Sequence, residues 1–247
     1  MRNEELVDRL SHFLTKGMQK AIREFNLIED GDRIGVALSG GKDSFGLLEV
    51  LRYRQRFAKE KYSLVALHVI GDSRGTDLPP YPQLEEWLKD RGLEYLIRPS
   101  FIAPDDAPPI PCERCTWNRR RTLFEMAEET GCNKVAFAHH LDDFAETALL
   151  NLIYHGRNET MAPISDYFGG KFKLIRPFTY VREKELVRFA AANDFPPPPP
   201  LCPIGCHTQR QKMKDIIHEL EKESRKVRQN LVRSALRDME RRVKPPS

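Results

Sequence analysis

The chain has 247 residues, 40% of them apolar and 31% charged, with a net charge of +4. That size suits one large domain or a domain with an appendage, and the composition is ordinary for a soluble globular protein. No apolar stretch approaches transmembrane length, and the opening "MRNEELVDRL" lacks a signal-peptide core, so a membrane-spanning class is excluded and a cytoplasmic location is expected.

In chain order, Leu6, Leu10, Leu14, Met18, Ile22 and Phe25 recur at helical spacing and predict an amphipathic helix over residues 4–25. "RIGVALSG" reads as a buried strand ending in a glycine turn, and "DSFGLLEVLRYRQRF" as the next helix. "YSLVALHVI" is a second strand, "PQLEEWLKDRG" the helix after it and "EYLIRPS" a third strand. A Pro/Asp-rich loop, "FIAPDDAPPIPCERC", leads to the helix "NRRRTLFEMAEETG". "KVAFAHH" and "FKLIRPF" are the fourth and fifth strands, followed by the helices "DDFAETALLNLIYHG" and "REKELVRFAAAND". Apolar strands alternating with helices predict a doubly wound five-stranded parallel sheet of the α/β class. The expected domains are residues 1–28 (an N-terminal helix), 29–195 (a nucleotide-binding domain) and 196–247. The last comprises the proline run Pro196–Pro200, a cysteine segment and a helical tail. Residues 208–247 carry 12 Lys/Arg against 6 Asp/Glu, a net +6 that leaves −2 on the rest. Such a tail suits a polyanionic partner or, equally, a solvated helix laced with ion pairs.

"LSGGKDS" follows the first strand, at the carboxyl edge where ligands of such sheets bind. Gly40 and Gly41 let backbone N–H groups turn toward an anion, Lys42 adds a cation, and Ser39 and Ser44 add hydroxyls. Asp43 after the lysine rules out a Walker A loop, and the spacing is not the dinucleotide fingerprint either. "AHHLDDFAET" ends the fourth strand. Asp143 and Glu146 would serve as a capping box. His139, His140 and Asp142 stand before that helix, where contact with nucleotide or Mg²⁺ is expected. Five cysteines are present. Cys132 opens a strand and reads as a small core residue. Cys112-Glu-Arg-Cys115 could be half a zinc site, a redox pair or an iron–sulfur anchor, with Cys202 and Cys206 downstream. Four thiols could close a structural zinc site.

The Ser-Gly-Gly-x-Asp-Ser form resembles the pyrophosphate loop of the N-type ATP pyrophosphatases. These enzymes adenylate a carbonyl oxygen and release pyrophosphate. The stretch from "PCERCTWNRRR" through "AHHLDDFAETALLNLIYHG", with "IRPFTYVREKELVRFA" and "FPPPPPLCPIGCHTQRQ", resembles the tRNA 2-thiocytidine synthetases over nearly the whole chain. The resemblance implies an adenine nucleotide alpha hydrolase-like (PP-loop) fold and ATP-dependent thiolation of a pyrimidine C2 in tRNA. It assigns Ser39, Gly40, Gly41, Lys42, Asp43, Ser44, His68 and His140 to ATP, and Asp142 to Mg²⁺ or proton transfer. Arg119 falls near the reacting phosphate. It implies a [4Fe–4S] cluster on Cys112, Cys115 and Cys202, with Cys206 as the alternative third ligand, leaving one iron open to present sulfide. This chain has Cys-x-x-x-Cys downstream where the family has Cys-x-x-Cys. The implied partners are tRNA and a sulfur donor, either a cysteine desulfurase or free sulfide. A homodimer is left open. Another carbonyl-adenylating tRNA-modifying enzyme with a structural zinc site, of 2-thiouridine type or of lysidine type (which needs no cysteine cluster), and a non-catalytic nucleotide-binding module are the competing readings.

Overall fold

The structure is a computed structural model that describes residues 4–79, 81–200, 202–203 and 209–243. Its helices are α1 (Glu4–Phe25), α2 (Lys42–Gln55), α3 (Pro82–Asp90), α4 (Cys112–Glu129), α5 (Leu141–His155), α6 (Glu183–Ala191), α7 (Gln209–Glu223) and α8 (Val227–Val243). Its strands are β1 (Arg33–Ala37), β2 (Ser63–Ile70), β3 (Glu94–Pro99), β4 (Lys134–Ala136), β5 (Ile164–Tyr167) and β6 (Phe172–Ile175). They form one sheet in the order β3-β2-β1-β4-β6-β5. All neighbours pair in parallel except β5, which is antiparallel to β6.

Six strands stand where the sequence pattern predicts five. The extra one, β5, is the outer arm of a hairpin whose turn places Phe168, Gly169 and Gly170 at positive φ. A Gly-Gly pair flanked by apolar residues is a hairpin signal. β5 is only "ISDY", too short and polar for its own pattern to show.

Side chains of β2 alternate between two cores. Leu64 and Ala66 join Phe45, Leu48, Leu186 and Phe189 under α2 and α6, whereas Val65, Leu67 and Val69 join Phe124, Met126 and Val135 under α4. Helices thus cover both faces, which is why the central strands are apolar throughout. At the centre, Gly35 of β1 accepts this packing because it has no side chain: a Cβ there would lie 2.5 Å from Leu67 Cδ1. α1 shares the first core through Leu14, Met18 and Ile22 rather than standing apart. Met213 and Ile217 of α7 and Val232 and Leu236 of α8 pack with Phe144 and Leu149 of α5.

Candidate active site

Ser39–Ser44 leaves β1 at the carboxyl edge of the sheet and enters α2 directly. The turn is wound about two hydroxyls. Ser44 Oγ donates to the Gly41 carbonyl (2.8 Å) and accepts from the Ser39 N–H (3.2 Å), while the Gly41 N–H donates to Ser39 Oγ (3.2 Å). Gly40 has φ +85°, a left-handed conformation that favours glycine. Lys42 Nζ sits between Asp43 Oδ2 (3.0 Å) and Glu183 Oε1 (3.3 Å). Burial pulls its pKa down, but these two carboxylates outweigh that and hold it above the usual lysine range. Asp43 Oδ1 is buried and has no hydrogen-bond partner among the described residues. A buried carboxylate oxygen without a donor is costly in the apo protein and is a ready ligand for a cation.

Two cavities flank this turn. One, of about 410 Å³, is lined by Ser39, Asp43, Ser44, Arg119, Arg120 and His140 among others. The second, of about 530 Å³, is lined by Ser39, Gly41, His68, Tyr81, Arg119 and Cys202, together with the prolines at 198–200. Ser39 and Arg119 belong to both. Arg119 has no ion-pair partner among the described residues, so its guanidinium is available to an anion. Its charge is felt by His68, whose pKa is lowered first by burial and further by Arg119, against the hydrogen bond its Nδ1–H donates to the Leu38 carbonyl (2.8 Å).

The proline run lies over the glycine turn. A Cβ on Gly40 would meet Pro199 Cδ at 2.6 Å, and the Tyr81 hydroxyl donates to the Pro197 carbonyl (2.8 Å). The run ends at Cys202, whose Sγ is 3.1 Å from the buried Ser73 Oγ. Cys112 and Cys115 lie in the first turn of α4, not in the loop before it as expected. Pro111 fills the N-cap, and proline suits a helix start because it lacks the N–H that goes unpaired there. Burial raises the Cys115 pKa. Arg119 opposes this, while negative charge on Cys202, Asp72 or Cys112 adds to it, so the three thiols share one electrostatic neighbourhood. Among the described residues no three His, Cys, Asp or Glu side chains come close enough to hold a single metal ion. Cys206 lies outside the described residues. Cys132 is buried in the core under α4, as expected.

One expectation for "AHHLDDFAET" is corrected. The capping carboxylate of α5 is Asp143, which accepts the His140 N–H (2.9 Å), because the helix starts at Leu141 and Asp143 is its third residue. Glu146 is instead buried; burial and the Asp143 charge push its pKa up to about 7. Asp142, the residue expected at Mg²⁺ or in proton transfer, has both its oxygens engaged by the fold. Oδ2 accepts the Glu183 N–H (2.7 Å) and Oδ1 pairs with Arg228 Nε (2.8 Å). It ties α5 to α6 and α8. Arg228 is buried by that pair and by Glu221, so this residue of the basic tail is withdrawn from any polyanion surface. His139 stacks on Phe137 at 5.8 Å and is pushed down to about 4, mainly by burial.

The features without a sequence signal are Tyr81 and the seating of the prolines on Gly40. Arg120 could have been found from its place one turn after Thr116 on α4.

The PP-loop domain family model matches residues 113–196. A curated tRNA-cytidine(32) 2-sulfurtransferase of Geobacter metallireducens is 38% identical over 240 residues, covering 93% of this chain and 91% of that protein. The chain belongs to the tRNA-cytidine(32) 2-sulfurtransferase family. Other members similar to it come from Geobacter sulfurreducens (37% identity, 93% and 91% covered) and Enterobacter sp. (38%, 95% and 78%). The fold is also that of the U34-tRNA thiolase NcsA from Methanococcus maripaludis, solved with its [4Fe-4S] cluster. The TM-score is 0.71 at 21% identity, covering 93% of this chain and 80% of that one. Among the described residues of this family member no helix is long and apolar enough to cross a membrane.

Proposed function

We propose that this chain is an ATP-dependent tRNA thiolase that replaces O2 of cytidine 32 with sulfur, forming AMP and pyrophosphate. The observation that carries the reading is the pair of cavities sharing Ser39 and Arg119. One is lined by Asp43 and Ser44, and the other by Gly41 and Cys202. The sulfurtransferase relatives support the base and position.

The N–H groups of Ser39–Ser44 and the N-terminus of α2 receive the β and γ phosphates of ATP. His68 and Tyr81 line the cavity that takes the nucleoside, and His140 lines the neighbouring one beside Asp43. Mg²⁺, if bound, fits the unpartnered Asp43 Oδ1 better than the engaged Asp142. Arg119 stabilises charge at the α phosphate. The pyrimidine O2 attacks the α phosphorus, and the bond to the pyrophosphate oxygen breaks. A sulfur nucleophile then bonds to C2 and AMP departs with the original O2. Asp142 acts through position, by bracing α5 against α6 and α8.

Cys112, Cys115 and Cys202 fit an iron–sulfur cluster in donor type and share one neighbourhood. When bound, such a cluster supplies iron for a sulfide. The sulfur comes from a cysteine desulfurase or free sulfide, and the reaction belongs in the cytoplasm with its tRNA.

Mass spectrometry of tRNA nucleosides tests the function. A deletion strain loses 2-thiocytidine and regains it on complementation. A deletion strain with its 2-thiocytidine intact would overturn the assignment.

A further inference from the structure

α4 carries a face that the two cavities do not use. Arg114, Trp117 and Arg121 follow one another at spacings of three and four and so form one stripe. Trp117 is 50% exposed, against 6% for Trp87, the other tryptophan of the chain. Large aromatic side chains dominate cores and interfaces, so a half-exposed indole is worth explaining. This one is held in place. The Phe101 ring meets it edge-on at 6.3 Å, and the Arg114 and Arg121 guanidinium groups lie 5.2 and 5.8 Å from its ring centre. Arg114 is itself anchored on the buried Asp106 carboxylate at 2.8 Å. The stripe lies beside the site, because Thr116 and Arg120 of the same helix line the cavity that contains Asp43 and Ser44.

We infer that Trp117, flanked by Arg114 and Arg121, is a stacking platform for an unpaired tRNA nucleobase next to the one that enters the cavity. The inference rests on the tRNA reading above. Cytidine 32 lies at the edge of the anticodon loop, where bases can be splayed from the stack. Single-stranded RNA is recognised by aromatic and guanidinium planes. Every base has a π-face, so the platform tolerates different neighbours. The arginines add cation–π contact and lie within reach of the adjoining phosphates.

The test uses the holoprotein and an anticodon stem–loop RNA carrying cytidine 32. Trp117→Ala lowers affinity about 10-fold, Trp117→Phe restores most of it, and the slope of affinity against salt is the same in all three proteins, because stacking releases no counterions. In a Trp87→Phe background, the RNA quenches the remaining Trp117 fluorescence. Unchanged affinity in Trp117→Ala, or no quenching, overturns the platform while leaving the thiolase reading intact. A loss confined to reactions fed by a protein sulfur donor, with sulfide-fed thiolation normal, also overturns it and makes this face a protein docking surface. Failure of the unaltered holoprotein to bind the RNA removes the tRNA reading together with the platform.

Discussion

The glycine turn and the thiol segment sit on the same sheet edge but are built in opposite ways. Ser39–Ser44 runs over six residues from the end of β1 into the first turn of α2, and its hydroxyls and N–H groups bond one another. It is formed before any ligand arrives. The thiols come from two segments about a third of the chain apart, one on the first turn of α4 and one just beyond the proline run. They share electrostatics without converging on a single metal position. A local turn is fixed by the strand and helix it joins. A site assembled from distant segments closes when its ligand supplies the binding energy, because metal binding free energy becomes folding free energy.

If the two regions are independent, lesions in them separate. The largest effect is expected from serine at Cys112, Cys115 or Cys202. Each variant loses iron and its thiolation falls to background, while tRNA-dependent pyrophosphate release persists. Serine at Cys132 changes neither. Iron analysis beside a pyrophosphate assay reads both. Stoichiometric zinc held by four essential cysteines, Cys206 among them, would overturn the cluster. The reciprocal lesion, Asp43→Ala or Ser44→Ala, lowers pyrophosphate release roughly 10²- to 10³-fold, as for loss of a preorganised electrostatic contact. It leaves iron content unchanged. Joint loss of iron and pyrophosphate release in either set would show that the regions are one cooperative unit.

The same contrast explains what could be read from the sequence. Apolar strands alternating with helices are a periodic signal, so the parallel sheet and its turn after β1 were legible. "SGGKDS" also carries its chemistry locally. β5 escaped because four half-polar residues have no period of their own and form only against β6. The start of α4 was placed too late because "PPIPCERC" looks like loop until Pro111 is recognised as its cap. Asp142 was aimed at Mg²⁺ by its motif, and only the packing of α6 and α8 shows the groups that engage it. The seating of the prolines on Gly40 is a contact between residues about 160 apart in the chain, and composition describes only their stiffness.

That contact offers a sharper test of how the two regions communicate. Gly31 and Gly40 have nearly the same φ, +83° and +85°, but a Cβ on Gly31 meets nothing within 4 Å. Gly31→Ala therefore reports left-handed strain alone, about 1–2 kcal/mol. Gly40→Ala adds the clash with Pro199 and costs about 2–5 kcal/mol in total. Thermal melting compares the two. If the proline run transmits position to Cys202, Gly40→Ala also lowers iron occupancy, which Asp43→Ala and Gly31→Ala do not. Equal melting temperatures for the two alanine variants would mean that the run lifts off at no cost.

The smallest effect expected concerns charge buried behind the glycine turn. Glu146 has its pKa pushed up to about 7 by burial and by Asp143. Below about pH 4.5 the carboxyl is protonated in both folded and unfolded chains and contributes no pH dependence. Between about 4.5 and 7 the folded chain keeps a proton that the unfolded chain has released, so stability falls as pH rises. Above about 7 both are ionised and the full penalty remains, at most about 3 kcal/mol for a shift of this size. Glu146→Gln holds the neutral shape at every pH. Its urea midpoint should match that of the unaltered protein near pH 4.5 and exceed it increasingly up to pH 8. On the thiol side Glu146 is not a neighbour, so the iron-free Cys115→Ser variant should show the same slope. A Gln variant displaced equally at all pH values would mean that Glu146 is ionised throughout, paired with Arg210 at 4.0 Å, and that the glycine side stores no buried proton.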